Sequence, residues 1–171
     1  MPTLLLMRHA KSDWSDASCP DHDRPLNARG KRDAPRMGRW LAEQSLGPTR
    51  IVASSAKRAR KTADRVVSGL AGEVPIEVRE DLYHATADHW LSVLAELPGD
   101  ANCVLCIGHN PGLEALLERL TGNHERLPTA AIACLDLHGE EWSAIVSAPE
   151  GVSLRAVWRP KEIHSEHPSR Q

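Results

Sequence analysis

Short apolar runs alternate along the chain with longer stretches in which apolar residues recur every three or four positions. That alternation predicts a layered α/β architecture. Residues 3–7, "TLLLM", read as a buried strand. Residues 12–30, rich in Asp, Ser and Pro, read as a long loop, a length that usually signals function. Met37, Trp40 and Leu41 mark a helix that stops at "LGP"; Pro35 predicts that it starts near Asp33 or is kinked there. "RIVAS" is a second strand. A helix follows, with Ser55 as its expected N-cap and an apolar face of Ala59, Ala63, Val66, Val67 and Leu70. "IEV" is a weak third strand, and Trp90, Leu91, Leu94 and Leu97 form another helical stripe.

Residues 103–107 make a fourth buried strand, running into "GHNPGLEALLERLTG". There Asn110 is the expected cap, Pro111 the first helical residue and Gly122 the stop. "AAIACLDL", "WSAIVSA" and "VSLRAVW" are expected strands, the first two as a hairpin closing at "HGEE". The expected organisation is one domain over residues 1–159 and a polar, mobile tail over 160–171.

Composition narrows the function classes. The chain has 171 residues, 41% of them apolar and 26% charged, with a formal net charge of −2. No bulk basic field favours nucleic acid, and the Lys57–Arg65 run lacks interleaved aromatics. The first apolar run is too short for a bilayer and lacks the flanks of a signal peptide, so no membrane role and a cytoplasmic setting are expected. Cys103 and Cys106 form a C-x-x-C inside a strand, where positions three apart face opposite sides; they read as core thiols. His164 and His167 in the tail are too few ligands for zinc.

The chemistry collects where strands end. The first ends in Arg8-His9, the second runs into "SSAKRARKTA" with Arg58 in the first helical turn, and the fourth ends in Gly108-His109-Asn110. Ligands bind at the carboxyl ends of parallel strands, and helix N-termini favour anions. Two arginines, two histidines and helix starts therefore point to phosphate, whose oxygens suit guanidinium pairs.

These residues resemble the histidine phosphatase (phosphoglycerate mutase-like) superfamily, and within it the SixA-type phosphohistidine phosphatases. "LMRHAKS" is similar to R-H-G, "SSAKRARKTA" to S-P-x-x-R-A-x-x-T, "IGHNPGLE" to the later G-H motif and "RPLNARG" to R-P-L-T-x-x-G. "TAAIACLDL" is similar to the late strand of that branch, and the ordered set spans nearly the whole chain. Ala10 departs from the usual Gly, and Ser55 from the usual Pro. The resemblance implies a three-layer α/β/α sandwich with a mostly parallel central sheet. It implies His9 as nucleophile, with Arg8, Arg58 and a protonated His109 completing the phosphate pocket and Arg24 as an added contact. The expected activity is a cofactor-free, metal-independent phosphatase acting on phosphohistidine in a protein. The alternatives are a phosphatase of small phosphate esters and a non-catalytic phosphate-binding module. An acid for the leaving group is sought in "VREDLYHA", where Glu80 is preferred over Asp81, and His84 and His89 are read as structural or exposed. Only 50 residues lie between Arg58 and His109, and with a strand and a helix among them little chain remains for a lid.

Overall fold

Leu4, Leu5, Leu6 and Met7 are all buried, yet they serve two different cores. Alternate side chains of a strand face opposite ways. Leu4 and Leu6 join one apolar cluster with Val104, Leu94 and Leu117, while Leu5 and Met7 join another with Ile51, Met37 and Val66. A strand buried on both faces needs helices above and below it. The computed structural model, which describes residues 1–139 and 141–163, supplies them.

Six strands form one sheet in the order β3-β2-β4-β1-β5-β6. They are β1 (Thr3–Arg8), β2 (Arg50–Ser54), β3 (Ile76–Arg79), β4 (Cys103–Gly108), β5 (Ile132–Leu137) and β6 (Val152–Trp158). The first four are mutually parallel; β5 runs antiparallel to β1, and β6 antiparallel to β5. Helices α1 (Ala28–Glu43) and α2 (Lys57–Gly69) pack on one face. On the other lie α3 (Ala87–Ala95), α4 (Gly112–Thr121) and the short α5 (Ala144–Ser147). This is the mostly parallel three-layer α/β/α architecture expected from the sequence. Cys103 and Cys106 do fall on opposite sheet faces.

Several local expectations are corrected. Helix α1 begins at Ala28, because the Asn27 side chain caps it by accepting from the Gly30 N–H at 2.9 Å. It runs through Pro35: the Lys31 carbonyl, which loses its helical donor there, accepts from the Arg65 guanidinium at 3.3 Å. Helix α2 is entered from Ala56, and Ser55 instead bonds the His22 Nε2 at 2.9 Å. Helix α4 starts at Gly112 after Pro111. Asn110 spends its amide on Glu114 Oε1 and the Leu127 carbonyl, both at 2.9 Å. Gly122 ends α4 in the left-handed conformation at φ 72°, as expected.

"WSAIVSA" is not a strand. Trp142 and Ile145 are buried and three apart, the spacing of a helical face, while Ser143 and Val146 face solvent. Trp142 is anchored by an N–H to the Ala101 carbonyl at 2.9 Å, and the antiparallel partner of β5 is therefore β6. Beyond β6, Ile163 returns to the core, and Arg36 bonds the Pro160 carbonyl at 2.7 Å and the Ile163 carbonyl. The rest of the predicted tail, with His164 and His167, lies outside the described residues. Among the described residues no helix is long and apolar enough to cross a membrane.

Candidate active site

Sheet register brings the three strand ends level. Arg8 stands opposite Gly108, and Ala53 opposite Ile107, so His9, Ser54 and His109 emerge side by side at the carboxyl edge of β1, β2 and β4. The His9 and His109 ring centroids are 5.1 Å apart. Both rings are nearly buried, at 6% and 5% exposure.

Thr62 locks this floor together. Its hydroxyl donates to the Arg58 carbonyl at 2.7 Å and accepts the Ala10 N–H at 2.9 Å, which ties α2 to the turn after β1. The turn is also pressed against α1. A Cβ on Gly30 would come within 2.1 Å of the Lys11 carbonyl oxygen, so glycine is needed for that approach.

Arg8, Arg24 and Arg58 converge around the two histidines. Arg8 donates to the Leu127 carbonyl at 3.3 Å, and Arg24 to the Ser12 hydroxyl. Arg58 donates to the Asp21 carbonyl at 2.7 Å and to Asp21 Oδ2 at 3.1 Å; Arg24 takes Asp21 Oδ1 at 2.9 Å. Yet the Nε–H of each guanidinium is buried without a partner among the described residues. Three unpaired cationic donors in one place are costly unless an anion satisfies them.

The hydrogen bonds settle the tautomers. His9 Nδ1–H donates to the Ala10 carbonyl at 2.8 Å, which leaves the Nε2 lone pair free. His109 Nδ1 accepts from Arg58 at 3.5 Å, so its Nε2–H donates to the Ser54 hydroxyl at 2.8 Å. Burial pushes His9 down to about 3, with Arg58, Arg8 and Arg24 adding to the effect. Burial likewise pushes His109 down to about 3, helped by His9, Arg58 and His84. In this arrangement His109 is neutral near pH 7, contrary to the charged form expected above, because it is buried and sits beside Arg58.

The structure thus brings Arg8, His9, Arg24, Arg58 and His109 together and leaves Glu80 out. Glu80 is an exposed residue of a 3-10 turn after β3, in no ion pair or hydrogen bond with the cluster among the described residues. Asp81 is spent on Arg79, at 2.7 Å, and on His89, at 2.9 Å. Sequence reasoning missed Asp21, Ser54, Tyr83 and His84. Tyr83 donates to Asp21 Oδ2, and this bond, with Arg24 and Arg58, holds the Asp21 carboxyl well below the usual range. His84 Nε2 lies 3.6 Å from the same oxygen, and its ring is 5.6 Å from that of His109. The signal for His84 was its place: it follows β3, a fourth parallel strand ending at the same edge of the sheet.

A histidine with a free Nε2, set among Arg8, Arg24 and Arg58 at the carboxyl ends of parallel strands, forms a candidate anion site. The sequence profile of the histidine phosphatase superfamily (branch 1) matches residues 4–93, and the chain belongs to that family. It is 31% identical over 168 residues to an uncharacterized chloroplastic protein of Arabidopsis thaliana, covering 92% of this chain and 77% of that one. Among solved structures it is similar to SixA of Nakamurella multipartitia, provisionally assigned as a phosphohistidine phosphatase. That likeness has a TM-score of 0.81 and 30% identity, covering 93% of this chain and 96% of the other. SixA of Agrobacterium tumefaciens, with the same provisional assignment, follows at a TM-score of 0.78 and 26% identity, covering 93% and 99%.

Proposed function

We propose that the protein is a phosphatase that passes the phosphoryl group through His9, with phosphohistidine in a protein as its substrate. The observation that carries this reading is the free Nε2 of His9 among three guanidiniums whose buried Nε–H groups have no partner among the described residues. Nε2 attacks phosphorus in line, the leaving group departs, and water hydrolyses the phosphohistidine so formed. The arginines hold the equatorial oxygens, where charge accumulates. The depressed basicity of His9 keeps it unprotonated at neutral pH.

Two features favour a protein over a small ester. The segment between Arg58 and His109 is taken up by α2, β3, α3, β4 and short connections, which leaves little chain for a lid. Beside the pocket, Pro25 and Leu26 floor a cavity of about 310 Å³ edged by Lys31, Lys57, Lys61 and Arg65, a basic rim suited to the surface of an acidic protein. The SixA likeness supports the same substrate class.

The test is phosphate release in EDTA from a phosphohistidine protein and from a phosphoserine peptide, with wild type and His9→Ala. Release from phosphohistidine that drops on the order of 10⁴-fold in His9→Ala is expected. Release from phosphoserine alone would select the small-ester alternative. Phosphate binding without turnover, unaffected by His9→Ala, would select the binding module.

A further inference from the structure

We infer that His84, held by Asp21, donates the proton that the leaving group needs, and that the cavity beside it receives that group. This rests on the His9 reading above and adds the acid that the reading lacks. Glu80 and Asp81 do not fill the role, one lying outside the cluster and the other tied up with Arg79 and His89.

His84 is placed with unusual firmness for an exposed residue. Its backbone is left-handed, at φ 55°, a conformation that costs energy for a residue with a Cβ. The next residue is clamped: a Cβ on Gly112 would lie 2.1 Å from the Ala85 carbonyl oxygen, so the start of α4 is in direct contact with this turn. Gly108 also lies close to Trp90, whose Cζ2 would be 2.7 Å from an added Cβ. The segment from His84 to Trp90 is therefore seated on the element that carries His109. The ring also contacts Tyr83, at 4.0 Å between centroids and tilted by 38°.

The Asp21 carboxylate faces one nitrogen of the imidazole, 3.6 Å from Nε2, leaving the other nitrogen for a substrate. Between His84 and His109 a cavity of about 260 Å³ opens, edged by Thr86, Asn110, Gly112 and Ala115. It adjoins the anion site and is wide enough for an imidazole or phenyl ring.

The bond from His9 Nε2 to phosphorus forms while the bond from phosphorus to the leaving nitrogen or oxygen breaks, its electron pair staying on the leaving atom. The proton passes from the His84 imidazolium to that group, on the departing atom or on the far nitrogen of a departing imidazole. In the second half, neutral His84 takes a proton from the water that attacks phosphorus, phosphate leaves, and both histidines return to their starting states.

The experiment compares leaving groups. Wild type and His84→Asn, which tolerates the left-handed backbone, are assayed on a phosphohistidine peptide, phenyl phosphate and p-nitrophenyl phosphate. The first two need a proton on departure and the third does not. The expected loss is about 100-fold on the first two, and at least about tenfold smaller on p-nitrophenyl phosphate. Equal losses on all three would mean a structural role and overturn the inference, as would no loss on any. Circular dichroism of the variant excludes unfolding as the cause. If wild type releases phosphate from none of them in a His9-dependent way, the phosphatase reading itself falls, a result distinct from uniform loss in the variant.

Discussion

The floor and the wall of the pocket are built by different means. The floor is Arg8, His9, Ser54, Arg58 and His109, set by strand register and by buried hydrogen bonds such as those of Thr62. The wall is Asp21, Tyr83 and His84, carried on irregular segments and held mainly by side-chain contacts around one carboxylate that is 43% exposed. Buried backbone-anchored groups cannot relax when a partner is lost, whereas exposed charge pairs are screened and replaced by water. The floor should therefore be costly to alter for both activity and folding, and the wall costly for chemistry alone.

The largest break in that contrast comes from Arg58. Removing its guanidinium in Arg58→Ala takes away one of the three cations proposed to hold phosphate and is expected to lower kcat/KM by about 10²–10³-fold. Steady-state kinetics would check this, and a loss below tenfold would move the anion site away from Arg58.

Thr62→Val sharpens the contrast through folding. The substitution keeps the shape but leaves the Ala10 N–H buried and unpartnered, for an expected loss of about 1–3 kcal/mol in urea unfolding. Activity should fall as well, because the same bond holds the turn that carries His9.

Acid should act on the floor first. His9 and His109 are neutral in the fold down to about pH 3, whereas the ordinary value for each, kept in the unfolded chain, is 6.5. Between those values the unfolded chain binds protons that the folded chain does not, so stability is full above pH 6.5 and falls as pH drops. The slope is about 1.4 kcal/mol per pH unit for each such histidine. Unfolding between about pH 6.5 and about pH 4.5, above the range of most carboxylates, should show a shallower slope in His109→Gln. An unchanged slope would remove the buried neutral histidines as its cause.

The smallest effect on folding is expected from the wall. Asp21→Asn should cost less in unfolding stability than Thr62→Val, since the carboxylate is 43% exposed and the buried Arg58 and Arg24 keep the Asp21 carbonyl and the Ser12 hydroxyl as acceptors. Its depressed titration adds stability only above the carboxylate range, and that stability is lost as pH falls below it. A thermal melt that drops as far as that of Thr62→Val would erase the distinction between floor and wall.

Much of the floor was legible in the order of residues along the chain. Arg8-His9, Arg58 and Gly108-His109 each sit at the junction of an apolar run and a helix-period stretch, and such junctions in a parallel sheet share one edge. Thr62 was visible only as part of a motif, because its purpose depends on the turn at Ala10 packing against α2. The wall was not legible. Asp21 lies in an Asp-rich loop where neighbouring Asp13, Asp16 and Asp23 looked equivalent, and only folding selects the one that reaches Arg24, Arg58 and Tyr83. His84 looked like an exposed histidine because its relation to His109 runs through the Ala85–Gly112 contact, which joins residues far apart in the chain.

By itself, then, the sequence determined the alternation of strands and helices, the doubly buried sheet and the residues that meet at its edge. Those properties follow from apolar period and local chemistry, which act within a few residues. Tertiary structure alone decided that "WSAIVSA" coils to bury Trp142 and Ile145 and that β6 pairs with β5. It also decided the charge state of His109 and the partners of Asp21 and His84. These depend on burial and on contacts across dozens of residues, and no local pattern carries that information.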